Sequence, residues 1–355
     1  LKSIYELNFN GCLAYIMPSE FLNSGYGKIV KQYLLDNGSI ENIIQIQDEQ
    51  GAFNSVITTV CIILFVKNKC NNTIKFSKIT NVSKISVELV NEISIKNITA
   101  NEKWQKYFEP LIDFRHTGFI PLSSYGKFKR GIATGANEFF ILDANSVKKH
   151  NFDKSEVTLC VTRSNQIKHS IFNDNMLEKL IYDNENIYIL DVSDKKELLS
   201  SFVQQYIQMG ENAGYNQRYL TKTRPIWYAL EKRNPSPILF GVFSRGEIKI
   251  IRNYTKAVNL TCYHGFEPKD FVTNDIIDKL FLYLKSNVAK ESFNINKRVY
   301  GNNLTKFEPN DISKTLVPNI EQLSKISSEF TKEQIQYVLK YDKLSMECEE
   351  LFYSL

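Results

Sequence analysis

The sequence lacks the features of a membrane protein, a metal site and a disulfide-stabilised domain. It has no run of 18 or more apolar residues, and its first ten residues include acidic and polar side chains where a signal peptide would have an apolar stretch. Its six cysteines are widely spaced without a CxxC pair, and its four histidines are scattered. This spacing indicates neither a zinc site nor disulfides and favours reduced, buried thiols. We therefore expect a soluble cytoplasmic protein with no metal and no membrane partner.

Length and charge narrow the class of protein further. A chain of 355 residues that is 43% hydrophobic is long enough for two domains and a helical tail. The net charge of +5 is small for a nucleic-acid-binding protein, so its distribution matters more than its total. Nine cations against two acids give residues 218–256 a charge of +7, which exceeds the net charge of the whole chain.

Residues 1–80 have the pattern of part of an α/β sheet. Residues 12–17 form a short apolar run typical of a buried parallel strand, helical spacing follows over 27–36, and Gly38 ends that helix. Residues 40–46, 56–66 and 74–79 have the pattern of strands, and the β-branched run 56–66 predicts a strand covered on both faces. So few strands and helices cannot close a doubly wound sheet. We expect strand 12–17 to expose an edge that an upstream segment or another chain covers.

Two phrases in this block resemble a known family. Residues 11–22, GCLAYIMPSEFL, and residues 51–56, GAFNSV, which lead into the strand ending near residue 66, resemble the last strands of TaqI-like, gamma-class N6-adenine DNA methyltransferases. The resemblance implies that Phe53 stacks on the flipped target adenine, since an aromatic ring can replace the stacking that a base loses when it leaves the duplex. The alternative is that Phe53 is an ordinary core phenylalanine.

The same resemblance shows which family motifs do not occur in this sequence. The family binds S-adenosylmethionine through a glycine-containing loop and holds the adenine amino group with an Asn/Asp-Pro-Pro-Tyr/Phe loop. No proline pair occurs in the sequence, and Gly25-Tyr26-Gly27 is more typical of a helix entrance than of a cofactor loop. We expect S-adenosylmethionine to be bound by a missing N-terminal part, so that this chain alone is inactive.

The next block carries a nucleic-acid signal. Residues 125–140, YGKFKRGIATGANEFF, place three cations before a glycine-containing turn that is expected to run into an aromatic strand. The phrase resembles the start of the target-recognition domain in the same methyltransferases. The alternative is a β-hairpin with a solvated basic turn. The candidate DNA contacts in this block are Lys127, Lys129, Arg130, Thr134 and Asn137.

Three later segments resemble further parts of that recognition domain: VTRSNQI at 161–167, RPIWYAL at 224–230 and KRVYGNNLTK at 297–306. Residues 238–243 and 247–252 predict paired strands, and we favour a core position for Trp227 over a DNA contact. The alternative for 297–306 is a capped loop between helices. The candidate DNA contacts in these segments and the strands between them are Arg163, Ser164, Asn165, Arg218, Arg224, Arg245, Lys249, Arg252, Tyr300, Asn302 and Lys306.

Helical patterns cover residues 275–287, 320–328 and 331–353, the last with an acidic end that suits packing. The predicted fold is α/β. It comprises the C-terminal strands of an incomplete Rossmann-like methyltransferase sheet (1–80), a connector (81–118), a mixed α/β target-recognition domain (119–318) and C-terminal helices (319–355).

The predicted function is the DNA-recognition half of a base-flipping adenine-N6 DNA methyltransferase of a restriction-modification system. Its partners would be double-stranded DNA and either a missing N-terminal catalytic segment or a separate catalytic chain. The alternatives are a non-catalytic DNA-specificity subunit and part of a fused restriction-methylation enzyme.

Overall fold

The computed structural model describes residues 1–46, 59–82, 86–109, 118–192, 199–296, 298–300 and 304–355. They form two compact units, and each draws on several parts of the chain. Unit 1 is Leu1–Thr117 with Phe243–Glu247 and Glu291–Phe307, and unit 2 is Gly118–Val242 with Ile248–Lys290 and Glu308–Leu355. No helix in these described ranges is long and apolar enough to cross a membrane.

The strands of the described chain are short and spread along its length. In chain order they are β1 Cys12–Pro18, β2 Gly38–Ile46, β3 Val60–Lys67, β4 Thr73–Ile79, β5 Val87–Ser94, β6 Ile120–Pro121, β7 Gly126–Arg130, β8 Ile141–Leu142, β9 Val157–Val161, β10 Ile171–Phe172, β11 Tyr188–Leu190, β12 Ile238–Gly241, β13 Phe243–Ser244, β14 Ile250–Asn253, β15 Val258–Asn259, β16 Tyr263–Pro268, β17 Arg298–Tyr300, β18 Leu304–Lys306 and β19 Leu316–Val317.

The helices lie between the strands and after them. In chain order they are α1 Lys2–Glu6, α2 Gly27–Asn37, α3 Asn137–Phe140, α4 Ala144–Lys149, α5 Asp174–Tyr182, α6 Ser201–Asn212, α7 Tyr219–Lys222, α8 Asn274–Lys285, α9 Asn287–Asn296, α10 Pro309–Ser313, α11 Ile320–Ser324, α12 Ser328–Tyr341 and α13 Met346–Ser354. Alternating strands and helices confirm the predicted mixed α/β class.

Unit 1 contains a five-stranded sheet in the order β1-β3-β2-β4-β5. The β2–β4 pair is parallel, and the other three pairs are antiparallel. The prediction that β1 is a buried parallel strand is wrong, since β1 pairs antiparallel with β3 and leaves Tyr15 47% and Ile16 59% exposed. Among the described strands, β1 has a hydrogen-bonded neighbour on one side only, as expected for an open edge.

The core of unit 1 lies on one face of this sheet. Along β3 the residues alternate, so that Cys61, Ile63 and Phe65 are buried while their neighbours are half-buried. The expectation that both faces of this strand are covered is therefore wrong within the described residues. Trp104 is fully buried in the same core, and the Nζ atom of Lys31 lies 5.5 Å from its ring centre.

A second, three-stranded sheet belongs to unit 1 and has the order β13-β18-β17. Its register pairs Phe243 with Lys306, and the Lys306 Nζ lies 5.6 Å from the Phe243 ring centre. The sequence pattern had assigned both segments of this sheet to the recognition domain, so the unit boundary is not a single point in the chain.

The described residues of unit 2 form three sheets. A five-stranded sheet has the order β10-β14-β12-β16-β7, a four-stranded sheet the order β15-β9-β11-β8, and β6 pairs with β19. The predicted pairing of the strands at 238–243 and 247–252 is confirmed, because β12 pairs antiparallel with β14. The core contains Phe140, Phe172 and Phe240, each no more than 1% exposed.

One local prediction in unit 2 was wrong, one predicted helical segment consists of two helices, and two other predictions are confirmed. Residues 137–140 form the short helix α3 rather than an aromatic strand, and one helical turn brings Phe139 and Phe140 into the core together. The pattern over 331–353 is two helices, α12 and α13, which are separated where Asp342 adopts a left-handed φ of 56°. Helix α8 confirms the predicted helix, and Trp227 packs against the core as predicted.

Candidate nucleic-acid interface

Two turns of unit 2 carry five of the sixteen residues that the sequence identified as candidate DNA contacts. The first, turn A, comprises residues 131–137 between β7 and α3. It begins at Gly131, where a Cβ atom would lie only 2.1 Å from the Leu260 carbonyl oxygen, so that only glycine permits this approach. Thr134 is 2% exposed, and its hydroxyl hydrogen-bonds to the Asn137 side chain, while Gly135 has a left-handed φ of 77°.

Arginine side chains hold turn A from outside. The Arg224 Nη2 atom donates to the Ala133 carbonyl oxygen at 2.5 Å, and the guanidinium carbon lies 5.9 Å from the Phe140 ring centre. Desolvation by burial lowers the pKa of Arg224 from its ordinary value. Arg218 pairs with Glu138 at 2.7 Å, and their side chains are 42% and 62% exposed. An ion pair in this degree of solvent is weak, so DNA phosphate can compete for Arg218.

The second turn, turn B, comprises residues 162–167 after β9. The Gln166 side-chain oxygen accepts from the backbone amides of Thr162, at 2.9 Å, and Arg163, at 3.1 Å. This internal bonding fixes the turn and leaves Arg163, Ser164 and Asn165 exposed at its tip. Such side chains suit contacts to phosphates and base edges.

Lys249 and Tyr263 fix turn B to the body of unit 2. The Lys249 Nζ donates to the carbonyl oxygens of Ser164, at 2.7 Å, and Ile167, at 3.0 Å. The Tyr263 hydroxyl donates to the same Ser164 oxygen at 2.9 Å. Desolvation lowers the pKa of Lys249. Lys249 thus positions turn B, a different role from the direct DNA contact that its sequence position suggested.

The two turns are connected through Leu260. Ile132 of turn A forms a parallel bridge with Leu260, and the Leu260 amide donates to the Val161 carbonyl oxygen at 3.0 Å, one residue before turn B. Neighbouring strands lie about 5 Å apart, so the two steps from Ile132 to Leu260 and from Leu260 to Val161 place the first residues of the two turns on the order of 10 Å from each other. These backbone bonds through Leu260 therefore place the starts of turns A and B close together.

Cations of β7 lie beside a polar cleft. Lys129 pairs with Glu267 at 2.6 Å, Arg130 pairs with Glu308 at 3.0 Å, and Lys127 is exposed. A cleft of about 590 Å³ adjoins this strand, and it is lined by Lys129, Lys232, Arg233, Asn234, Pro235, Ser236, Pro237, Phe266, Glu267 and Pro268. The sequence analysis counted Lys232 and Arg233 in the basic window but did not select them. Both residues could have been selected from the sequence, because two adjacent cations precede a proline-containing segment there.

Two candidates from the sequence are buried and therefore leave the proposed interface. Arg252 is 2% exposed, and its Nε donates to Asp278 at 2.6 Å. A guanidinium in this position cannot reach a phosphate without breaking a buried ion pair. The buried hydroxyl of Thr134 caps turn A, so this residue supports Asn137 rather than contacting DNA.

The remaining candidates belong to unit 1 or lie outside the described residues. Arg245 is exposed in the turn after β13, and Lys306 lies in β18. Tyr300 ends β17, but its side chain is outside the described part of the structure. Asn302 and Phe53 lie outside the described residues altogether, so their roles stay predictions.

The glycine pair after β1 lies at the entrance to α2. A Cβ atom on Gly27 would lie 1.7 Å from the Phe21 carbonyl oxygen, so Gly27 serves to bring α2 against residues 19–22. Helix α2 begins at Gly27, which confirms the predicted helix entrance. Across the described ranges, no three His, Cys, Asp or Glu side chains form a metal-binding group.

Two known protein families match the chain. Residues 1–116 match the family described as N-6 DNA Methylase, and residues 103–346 match the C-terminal domain of type II methyltransferase M.Eco57I. The second match covers more than half of the 355 residues. The chain therefore belongs to the type II DNA methyltransferase family, and the family predicted from residues 11–22 and 51–56 is confirmed.

Individual relatives agree with this assignment. The chain is 35% identical over 342 residues to the type II methyltransferase M.AccI of Acinetobacter calcoaceticus. This alignment covers 93% of this chain and 63% of M.AccI. It is 23% identical over 313 residues to M.XamI of Xanthomonas campestris pv. amaranthicola, covering 87% of this chain and 57% of M.XamI. The chain thus spans about three fifths of these relatives.

A solved structure shares the fold. The type IIL restriction-modification enzyme MmeI in complex with DNA superposes with a TM-score of 0.60 at 12% identity, covering 99% of this chain and 47% of MmeI. At this identity the likeness shows the fold alone.

Proposed function

We propose that this chain is the DNA-reading part of a site-specific adenine-N6 DNA methyltransferase of a restriction-modification system. One observation carries the proposal: the match to the M.Eco57I C-terminal domain covers turns A and B, the two turns that present exposed polar and cationic side chains from a rigid support. The structure of the relative MmeI was solved with DNA, which supports DNA as the partner.

Within this proposal the exposed side chains divide into two roles. Four cations neutralise phosphates: Lys127, Lys129, Arg130 and Arg218. Lys127 is exposed, and the other three form surface ion pairs that a phosphate can replace. Asn137 and the tip of turn B, Arg163, Ser164 and Asn165, contact base edges, because these side chains offer the donors and acceptors that distinguish base pairs. Arg224 and Lys249 hold the turns in place.

We propose that the remaining predicted contacts in the segments of unit 1, which are Arg245, Tyr300, Asn302 and Lys306, also contact DNA. Their segments are Phe243–Glu247 and Glu291–Phe307. We keep them as proposed contacts on the strength of the resemblance of residues 297–306 to the end of the recognition domain.

Unit 1 would supply the trailing strands of the catalytic sheet. Its match to N-6 DNA Methylase and the open edge of β1 support this role. We propose that further strands, from another part of the same protein or from a separate catalytic chain, pair along β1. These strands would carry the S-adenosylmethionine site and the Pro-Pro loop. Phe53 would stack on the flipped adenine, and methyl transfer to N6 would then be chemistry of the whole protein.

Methylation mapping tests this proposal. The complete open reading frame that encodes this chain is expressed in a host without DNA methylation, and single-molecule sequencing locates modified bases. We expect N6-methyladenine at one short sequence, and Phe53→Ala should abolish it while the protein stays folded. Arg163→Ala should weaken or relax site choice, since it removes a cation from turn B. Methylation of cytosine, or no methylation even with the neighbouring genes present, would refute the proposal.

If methylation requires a second gene, the chain is a DNA-specificity subunit. Cleavage of unmethylated DNA by the same polypeptide would identify a fused restriction-methylation enzyme. Both outcomes keep the DNA-reading role and change only the source of the catalytic residues.

A further inference from the structure

The turn over residues 218–224 exposes two apolar side chains between cations. Tyr219 is 77% exposed and Leu220 is 41% exposed, and both belong to the short helix α7. Single exposed apolar residues are common and need no explanation. Here, however, two are adjacent, and residues 218–224 contain three cations and no acidic residue. The pair therefore combines an apolar surface with local positive charge.

The support of this turn is buried. Thr221 is fully buried, and its hydroxyl lies within hydrogen-bond distance of the carbonyl oxygens of Tyr215, at 2.5 Å, and Arg218, at 3.1 Å. The Lys222 amide also donates to the Arg218 carbonyl oxygen at 2.9 Å. These bonds fix the backbone while the side chains on either side of Thr221 face solvent. The exposed pair is thus presented by an ordered turn.

Helix α7 also lies directly on turn A. A Cβ atom on Gly135 would lie 2.7 Å from the Leu220 Cβ, so the two backbones are in close contact. Arg218 reaches the Glu138 carboxylate of α3, and Arg224 reaches the Ala133 carbonyl oxygen of turn A. Tyr219 and Leu220 therefore stand at the edge of the proposed DNA-reading region.

We infer that Tyr219 and Leu220 form an apolar wedge that contacts the bases of duplex DNA beside the site read by turns A and B. The inference rests on the proposed function. Apolar side chains of DNA-binding proteins insert between base steps, while adjacent Lys and Arg residues bind the flanking phosphates. With the Glu138 carboxylate that pairs with Arg218 counted, residues 218–224 keep a local charge of three minus one, or +2. This positive charge favours DNA as the occupant over an apolar protein partner.

Two measurable properties distinguish such a wedge from a phosphate contact. An apolar contact displaces no counterions, so it adds to affinity without adding to the salt dependence of binding. Insertion must also unstack a base step, and a mismatch lowers the free energy of unstacking. A wedge therefore binds a mismatched duplex more tightly than a fully paired one.

The test uses fluorescence anisotropy with the whole 355-residue chain. The probes are an unmethylated duplex carrying the site found by methylation mapping and the same duplex with one mismatch beside the target adenine. Tyr219→Ala should weaken binding at least about fivefold with an unchanged salt slope, and it should lose the preference for the mismatch. Tyr219→Phe should bind as the wild type does, because the ring remains. Arg218→Ala should instead lower the salt slope by about one.

The matched control is Tyr182→Ala, since Tyr182 is a tyrosine at the end of α5 that is 89% exposed, compared with 77% for Tyr219. It should leave binding unchanged, and circular dichroism should show that every variant is folded. Wild-type binding by Tyr219→Ala, or an equal loss of affinity for both duplexes, overturns the wedge while leaving the proposed function intact. Failure of the wild-type chain to bind duplex DNA overturns the proposed function and the wedge together.

Discussion

Replacing Arg252 by methionine tests whether this arginine stabilises the fold or binds DNA. The Arg252 Nε donates to Asp278 at 2.6 Å, and its Nη1 lies 3.1 Å from the carbonyl oxygens of Pro237 and Asn253. The guanidinium carbon also lies 4.2 Å from the Tyr254 ring centre. Methionine fills much of the same space with a flexible apolar chain, so the substitution removes charge and hydrogen bonds while leaving little cavity.

The expected loss of stability follows from what remains behind. Removing one partner of a buried ion pair lowers the free energy of unfolding by about 3–5 kcal/mol, because the other charge loses its compensating partner. The Asp278 carboxylate is 19% exposed and keeps the hydrogen bond from the Tyr254 hydroxyl, which favours the lower end of this range. Unit 2 comprises roughly 200 residues. A domain of this size loses roughly 2–4 °C in Tm for each kcal/mol, so we expect Arg252→Met to lower Tm by roughly 6–20 °C.

Thermal unfolding followed by circular dichroism gives the Tm, and fluorescence anisotropy with duplex DNA gives the affinity at a temperature where all variants are folded. Arg163→Ala is the matched control. It should leave Tm unchanged and weaken DNA binding, whereas Arg252→Met should do the reverse. The double variant Arg252→Met/Asp278→Asn should be more stable than Arg252→Met, since it removes the unpaired carboxylate and leaves a side-chain oxygen for the Tyr254 hydroxyl, which donates to Asp278 at 2.8 Å. An unchanged Tm for Arg252→Met would refute this account of the buried pair.

Two further predictions concern turn B and the thiols. Lys249→Met removes two hydrogen bonds to turn B. We therefore expect about a fivefold rise in the Kd for duplex DNA and faster amide hydrogen exchange in residues 162–167. An unchanged Kd would show that Lys249 does not position the turn. Ellman's reagent at about pH 8 should modify exposed Cys12 and Cys70 rapidly in the native protein, and Cys12→Ser/Cys70→Ser should remove this reaction. Desolvation raises the thiol pKa values to about 12 for three cysteines and well above the ordinary value for a fourth, so that thiolate is scarce until unfolding; these four are Cys61, Cys262, Cys348 and Cys160. Rapid reaction of all six thiols in the folded protein would contradict this assignment.

The sequence predicted elements well where one periodicity dominates. Helix α8 and the pair β12–β14 were predicted because their apolar spacing is regular and their buried face is continuous. Strand β1 was located correctly, but its antiparallel pairing was not predicted. An apolar run does not encode the direction of the strand beside it, and pairing with β3 depends on residues about 50 positions later in the chain.

The candidate site shows the same division between local and distant information. Glycines and cations marked turns A and B in the sequence, because close backbone approach and exposed charge are local properties. The burial of Arg252 was not predicted, since Asp278 lies 26 residues away on α8. Tyr219 and Leu220 were overlooked because an isolated apolar pair reads as core until its exposure is known.

The divided composition of unit 1 has a consequence for synthesis in the cell. Its residues come from three stretches of chain, and the last stretch ends at Phe307. Protein domains generally fold as they leave the ribosome, beginning with the N-terminal one. Unit 1 cannot acquire all its parts until residues 291–307, which follow most of unit 2 in the chain, have been translated. The five-stranded sheet of unit 1 is therefore synthesised before the later segments of its unit, and unit 1 is incomplete during that time. Slow translation or premature termination before residue 307 would favour aggregation at that stage.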